Sequence, residues 1–138
     1  RDEKETSGLR VLLNYGHTIG HALESTTNYS AYLHGEAVSL GMMGAAFISN
    51  ALGMLSLKEV DRQRSILQAY DLPVDAINVD WKLMQKAMMV DKKIVGGSIN
   101  WVLLERIGKA VTRRDVDKDL VEKALKYLAE QQTTRHYE

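Results

Sequence analysis

The sequence contains no cysteine, a single proline and no excess of charge of either sign. Without cysteine the chain cannot form a disulfide scaffold, a thiolate zinc site or a cysteine nucleophile. The absence of cysteine is consistent with a reducing compartment, and we expect the protein to be located in the cytoplasm. The 18 basic and 18 acidic residues cancel, so no overall positive field exists to bind a nucleic acid or an anionic membrane. One proline against ten glycines, with few β-branched runs, favours helix over sheet.

The 138 residues have the size of one domain, and 45% apolar with 26% charged residues is the composition of a globular chain. We therefore expect one domain over residues 1–138. The sequence starts at Arg1, without an initiator methionine or an apolar signal region. This start suggests a fragment or a processed chain and argues against a secretory peptide.

One stretch, residues 37–57, has no charged residue and is long enough to span a bilayer. It contains the polar residues Ser39, Ser49 and Asn50, and Gly53 is typical of a helix end. A fully buried helix in a soluble domain explains the stretch better than a membrane span. We expect no membrane partner.

Apolar periodicity and capping residues predict a mainly helical domain. Ser56 and Glu59 have the spacing of a capping box, and Asp80 is a plausible N-cap of a further helix. A last amphipathic helix is expected after Asp115 or Asp117. The predicted helices cover residues 8–24, 35–52, 57–69 and 81–90 and a C-terminal stretch to about 132, and a small antiparallel β-hairpin covers 98–105 and 110–114.

A polar stripe falls on the first predicted helix. Arg10, Asn14, His17 and His21 are separated by four, three and four residues, which places them on a single face. A guanidinium, an amide and two imidazoles suit an anionic, hydroxylated ligand, and imidazoles one turn apart can share a metal ion. The pair lacks the glutamate of the HExxH protease motif. A third imidazole, His34, lies at the entry to the second predicted helix.

Each of these features also has a plain structural explanation. The stripe is equally consistent with an ordinary solvated face carrying satisfied histidines. Lys92 and Lys93, after the fourth predicted helix, are most simply solvent surface, and His136 lies in a C-terminal tail that we expect to be frayed.

Two blocks of sequence resemble the 3-dehydroquinate synthase family. Residues 13–24 read LNYGHTIGHALE and residues 33–38 read LHGEAV, and the similarity continues through 91–93 and 103–108. It covers nearly the whole chain. Other sugar-phosphate cyclases, such as 2-deoxy-scyllo-inosose synthase, share much of both blocks. Metal-dependent glycerol dehydrogenases share the fold more distantly.

The resemblance implies a two-domain, homodimeric enzyme. This chain would be its helical C-terminal domain, and an N-terminal Rossmann-like domain would bind NAD. The family converts 3-deoxy-D-arabino-heptulosonate 7-phosphate to 3-dehydroquinate and phosphate, the second step of the shikimate pathway. NAD transiently oxidises a ring hydroxyl, and zinc or cobalt polarises the oxygen of the oxidised carbon. We expect the isolated chain to be inactive. Two alternatives are another sugar-phosphate cyclase and a non-catalytic helical binding or assembly module.

The resemblance also implies a metal site. His17 and His34 match the two histidine ligands of the family, and the third family ligand is a glutamate of the N-terminal domain. His21 matches a catalytic histidine that lies beside the substrate rather than a ligand.

Substrate contacts are implied in the same way. Arg10 and Asn14 match residues that anchor the carboxylate and phosphate ends of the substrate, and Lys92 or Lys93 matches a further anion contact. The family usually has a glutamate four residues before the arginine, where this chain has Thr6, with its nearest glutamate one step earlier.

Overall fold

The computed structural model describes residues 15–26, 34–76, 80–94, 99, 101–114 and 116–136. These residues form five helices and one two-stranded antiparallel sheet. In chain order the elements are α1 (His17–Thr26), α2 (His34–Ala51), α3 (Leu57–Ala69), α4 (Trp81–Ile94), β1 (Trp101–Arg106), β2 (Lys109–Arg113) and α5 (Lys118–His136). The prediction of a mainly helical domain with a small hairpin is confirmed.

Helix α2 forms the centre of the fold, because α1, α3, α5 and β1 all pack against it. Its two buried serines are satisfied by neighbouring backbone. Ser39 Oγ donates to the carbonyl of Pro73 at 2.7 Å, and Ser49 Oγ accepts the amide N–H of Leu104 at 3.1 Å. The uncharged stretch is therefore a buried core helix, as predicted. Within the described part of the chain, no helix is long and apolar enough to cross a membrane.

The contact between α1 and α2 is made backbone to backbone. A Cβ on Gly41 would lie 1.9 Å from the carbonyl oxygen of Gly16 and 2.8 Å from the amide nitrogen of Gly20. Only a residue without a side chain permits this approach. Gly41 thus brings the start of α1 against the middle of α2.

The first helix is shorter than the sequence predicts. Tyr15 and Gly16 form a turn, and α1 begins at His17, with the amide of Gly20 bonded to the carbonyl of Gly16 at 3.1 Å. Gly16 has a φ of 84°, in the left-handed region, so no regular helix passes through it. A continuous helix over 8–24 is therefore wrong at this point, and residues 1–14 lie outside the described part.

The capping box of α3 is confirmed, and it also reaches the hairpin. The Ser56 side chain accepts the Glu59 amide at 3.2 Å, and Glu59 Oε1 accepts the Ser56 amide at 3.4 Å. The other carboxylate oxygen, Oε2, accepts the amide of Ile107 in the hairpin turn at 3.0 Å. This bond, followed by those from Ser56, lowers the pKa of Glu59 below its ordinary value.

The hairpin pairs Trp101 with Arg113 and Leu104 with Ala110. The first four residues of β1 are buried, while β2 is half-buried to exposed. The strands run over 101–106 and 109–113 rather than the predicted 98–105 and 110–114, since the turn consists of only two residues, 107 and 108, and Gly108 has a φ of 92°. Residues 98 and 100 lie outside the described part.

Two further caps follow the prediction, but both helices end later than expected. Asp80 Oδ1 accepts the amide of Lys82 at 2.9 Å, and Asp117 Oδ1 accepts the amide of Asp119 at 3.2 Å. Helix α4 continues to 94 instead of 90, and α5 to 136 instead of about 132. Residues 91–93 therefore belong to the last turns of α4 rather than to a loop after it.

Candidate functional site

Two imidazoles meet at the start of α1 and α2. His17 is the first residue of α1 and His34 the first residue of α2, and their ring centroids are 5.5 Å apart with planes inclined at 57°. His17 is half-buried, whereas the His34 side chain is 64% exposed. The site is therefore open on the His34 side.

The two rings differ in their hydrogen bonds. His17 Nδ1 is buried and has no hydrogen-bond partner among the described residues. His34 Nδ1 lies 3.1 Å from Oε2 of Glu24, near the end of α1, and that carboxylate is only 12% exposed. Burying an imidazole nitrogen without a hydrogen-bond partner costs free energy, and a bound ligand or metal ion at this nitrogen would remove that cost.

The arrangement fits a shared metal ion. Zinc bound tetrahedrally by two imidazoles at a Zn–N distance of about 2.0–2.1 Å holds the ring centroids roughly 5 Å apart. The observed 5.5 Å is close to that separation. Within the described ranges no group of three or more His, Asp or Glu side chains could hold a metal ion. The geometry of His17 and His34 would allow them to supply two ligands to a metal ion, and the described residues do not complete a set of three.

His21 lies one turn after His17 on α1 and is exposed. The structure pairs the ring of His17 with His34 across the two helices, and not with its helix neighbour. An exposed imidazole next to the pair is available to a bound molecule.

The structure describes the other predicted site residues only in part. Arg10 and Asn14 lie outside the described residues, and the helical spacing that linked them to His17 is interrupted at Gly16. Lys92 and Lys93 lie in the last turns of α4, a helix that packs against α1. The fold thus packs the helix that contains the lysine pair against the helix that carries His17.

Glu24 is a site residue that the motif analysis did not single out. It follows His21 by three residues and His17 by seven, so it continues the polar face of α1. This spacing was a usable signal. The position of His34 opposite it was not visible in the sequence, because it depends on how α1 and α2 cross.

A buried polar network anchors the turn before His17. The Tyr15 hydroxyl donates to Gln63 Oε1 at 2.7 Å and lies 3.1 Å from the Met42 carbonyl, which also accepts from Gln63 Nε2 at 3.1 Å. Burial raises the pKa of Tyr15 well above its ordinary value, so the hydroxyl stays a protonated donor. The network joins the turn to α2 and α3.

A separate cavity of about 520 Å³ lies between α2, α3 and α5. Its cation, Arg64, forms an ion pair with Asp75 at 3.6 Å and lies 5.6 Å from the ring centroid of Tyr127. These contacts engage the guanidinium within the fold. The histidine pair is therefore the stronger candidate for chemistry.

Comparison with known proteins gives a consistent result. Residues 1–94 match the family described as 3-dehydroquinate synthase C-terminal. The 3-dehydroquinate synthase of Thermodesulfovibrio yellowstonii is 44% identical over 126 residues, and that of Methylacidiphilum infernorum is 42% identical over 125 residues. Each alignment covers 91% of this chain and 35% of the relative. The chain spans about a third of the length of these relatives.

Two solved structures are similar in fold. A 2-epi-5-epi-valiolone synthase from Streptomyces hygroscopicus subsp. jinggangensis, with NAD+ and Zn2+ bound, matches with a TM-score of 0.75 and 30% identity, covering 87% of this chain and 33% of that one. A 2-deoxy-scyllo-inosose synthase complexed with carbaglucose-6-phosphate, NAD+ and Co2+ matches with a TM-score of 0.67 and 26% identity, covering 81% and 32%.

Proposed function

The chain belongs to the 3-dehydroquinate synthase family, and on that premise we propose that it is the metal- and substrate-binding C-terminal part of a 3-dehydroquinate synthase. The complete enzyme would convert 3-deoxy-D-arabino-heptulosonate 7-phosphate to 3-dehydroquinate and phosphate. One observation carries the proposal: His17 and His34 of this family chain come together at a distance that suits a shared metal ion.

His17 and His34 would hold zinc or cobalt through neutral imidazole nitrogens. When bound, the ion supplies Lewis-acid polarisation of the oxygen on the carbon being oxidised. The buried Nδ1 of His17 supports this role, because metal ligation or a partner outside the described residues would relieve its missing hydrogen bond. Bound NAD+ and Zn2+ or Co2+ in two structures of similar fold support the same cofactors here.

His21 would act as the catalytic histidine beside the substrate. It is exposed and lies one helical turn from His17. It could therefore exchange a proton with a hydroxyl or phosphate oxygen of a substrate bound beside the metal ion. A neutral imidazole can both donate and accept, which suits a group that serves more than one step.

Three other side chains would bind the anionic groups of the substrate. Arg10 offers a planar fork for a carboxylate or a phosphate, and Asn14 adds an amide. Either Lys92 or Lys93 would contribute an ammonium group from α4. The packing of α4 against α1 supports this assignment, since it brings the lysine-bearing helix to the helix of His17 and His21.

NAD would be bound mainly by an N-terminal domain, with residues 1–138 forming the helical domain alone. The alignments cover only 35% of each relative, which supports such a partner domain. When bound, NAD takes up and returns the hydride. The isolated chain would therefore be inactive, and the complete enzyme would be a cytoplasmic homodimer of the shikimate pathway.

Another sugar-phosphate cyclase is the second candidate, because the two similar structures described above are cyclases with other products. The curated relatives at 42% and 44% identity favour 3-dehydroquinate synthase. A non-catalytic module is a third possibility, and the same experiment separates it from both.

The test is product analysis with the complete protein that carries this chain. Given NAD, zinc or cobalt and the heptulosonate phosphate, we expect equal amounts of phosphate and 3-dehydroquinate. His17→Ala and His34→Ala should abolish turnover, whereas the matched change His136→Ala, far along α5, should leave it unchanged. A different product would point to another cyclase, and no turnover of any sugar phosphate would refute the enzymatic proposal.

A further inference from the structure

Glu24 has a place in the structure that the proposed function does not yet use. Its carboxylate oxygen Oε2 lies 3.1 Å from Nδ1 of His34, and its side chain is 12% exposed against 64% for the imidazole. The carboxylate is thus held by the protein, while the ring that it contacts faces solvent. We propose that Glu24 is a positioning residue that orients His34 for metal binding, an inference that rests on the proposed metal site.

The chemistry of the contact defines which ring nitrogen is left for the metal. An ionised carboxylate only accepts hydrogen bonds, so the atom that faces Glu24 must be protonated Nδ1–H. In a neutral imidazole the other nitrogen, Nε2, then carries the free lone pair. Glu24 therefore selects the tautomer of His34 in which Nε2 is the ligand.

The same contact restricts the ring in space. His34 is the first residue of α2 and largely exposed, so packing alone leaves its side-chain rotamers open. A hydrogen bond to a carboxylate fixed on α1 removes that freedom.

Helix α1 then serves both ligands at once. It supplies His17 directly and holds His34 through Glu24, two turns further along the same face. The backbone contact between Gly16 and Gly41 keeps the two helices in fixed relation. Rigid elements of this kind are what a metal site needs for its ligands to be preorganised.

Cobalt binding to the complete protein tests the inference directly. The affinity for Co2+, followed by the visible absorption of the bound ion, should fall roughly 10–100-fold in Glu24→Ala. Glu24→Gln, which keeps an acceptor oxygen without the charge, should lose less. The matched control is Glu122→Ala, which removes a surface glutamate of α5 paired with Lys126 at 3.6 Å, and its affinity should stay within about twofold of the parent.

The tautomer of His34 gives a second readout without any metal. Two-bond 1H–15N correlation of the metal-free protein should show Nδ1–H in the parent and loss of that preference in Glu24→Ala. A role of Glu24 in folding alone would leave the tautomer of a folded variant unchanged. Should Glu24→Ala not fold, the Glu24→Gln variant and the tautomer of the parent decide the question.

The outcomes distinguish this inference from the function beneath it. If His34→Ala loses cobalt but Glu24→Ala binds it as tightly as the parent, Glu24 does not position the ligand and the metal site stands. An Nε2–H tautomer in the parent would overturn the inference as well. If His34→Ala itself binds cobalt like the parent, the proposed metal site is wrong, and the role of Glu24 falls with it.

Discussion

Replacing Gly41 by alanine should separate α1 from α2. The added Cβ would lie 1.9 Å from the carbonyl oxygen of Gly16 and 2.8 Å from the amide nitrogen of Gly20, all backbone atoms that cannot rotate away. Since heavy atoms in contact normally lie about 3.5 Å apart, the helices would have to part by roughly 1.5 Å. Overpacking of this kind costs about 1–3 kcal/mol, and a backbone clash belongs at the upper end, near 3 kcal/mol.

Thermal unfolding followed by circular dichroism measures this effect. A loss near 3 kcal/mol should lower Tm by roughly 10 °C in a domain of this size. Gly35→Ala is the matched control on the same helix, because its Cβ would meet nothing within 4 Å, and it should leave stability unchanged or raise it by up to about 1 kcal/mol. If Gly41→Ala unfolds within about 2 °C of the parent, the close helix contact is not the constraint that we describe.

Three further predictions follow from buried or charge-assisted hydrogen bonds. Tyr15→Phe leaves Gln63 Oε1 without its buried donor and should lower the free energy of unfolding by about 1–3 kcal/mol in urea titrations, and a loss under about 0.5 kcal/mol would contradict the network. Ser49→Ala leaves the Leu104 amide without its acceptor and should cost a similar ~1–3 kcal/mol, with faster exchange of that amide as a direct check. The lowered pKa of Glu59 means that its stabilisation is complete above about pH 4.5 and is lost as the pH falls further, so the acid loss of stability should be shallower in Glu59→Gln than in the parent.

Local signals in the sequence predicted much of the fold. The capping box at Ser56 and the aspartate caps at Asp80 and Asp117 involve groups within a few residues, so the sequence contains both partners. The buried nature of α2 follows from its composition alone. The exact helix ends at 94 and 136 were not predictable, because hydrophobic periodicity marks the interior of a helix and not its last turn.

The break at Gly16 is a feature that hydrophobic periodicity cannot predict. The leucines on either side of it keep helical spacing, yet the residue adopts a φ of 84°. A Cβ there would lie 2.7 Å from the carbonyl oxygen of Val38 and from Met42 Cγ, so the close approach of α2 also requires a glycine here. This contact depends on how the two helices pack, which the periodicity does not describe.

The candidate site was likewise predictable only in part. Spacing alone pointed to His17 and His21, because a helix period describes only neighbours on one element. The family resemblance, and not the spacing, pointed to His34, whose ring the structure brings to 5.5 Å from that of His17. Glu24 was accessible from the period, whereas Gln63, which holds the preceding turn through Tyr15, looks like any polar position of an amphipathic helix.

The hairpin has a consequence for the pairing of its strand edges with other chains. Within the described residues the sheet has two strands, so both are edges, and an exposed edge is a template onto which another chain can add. Here the outward amide of Leu104 on β1 is already bonded to the Ser49 hydroxyl of α2, which covers that side. The opposite strand carries the exposed side chains of Lys109, which is paired with Glu105 of β1 at 3.3 Å, and of Arg113. Charged side chains on an edge strand disfavour the addition of a further strand. The two strands thus oppose strand addition by different means, β1 by a hydrogen bond to a helix and β2 by its charged side chains.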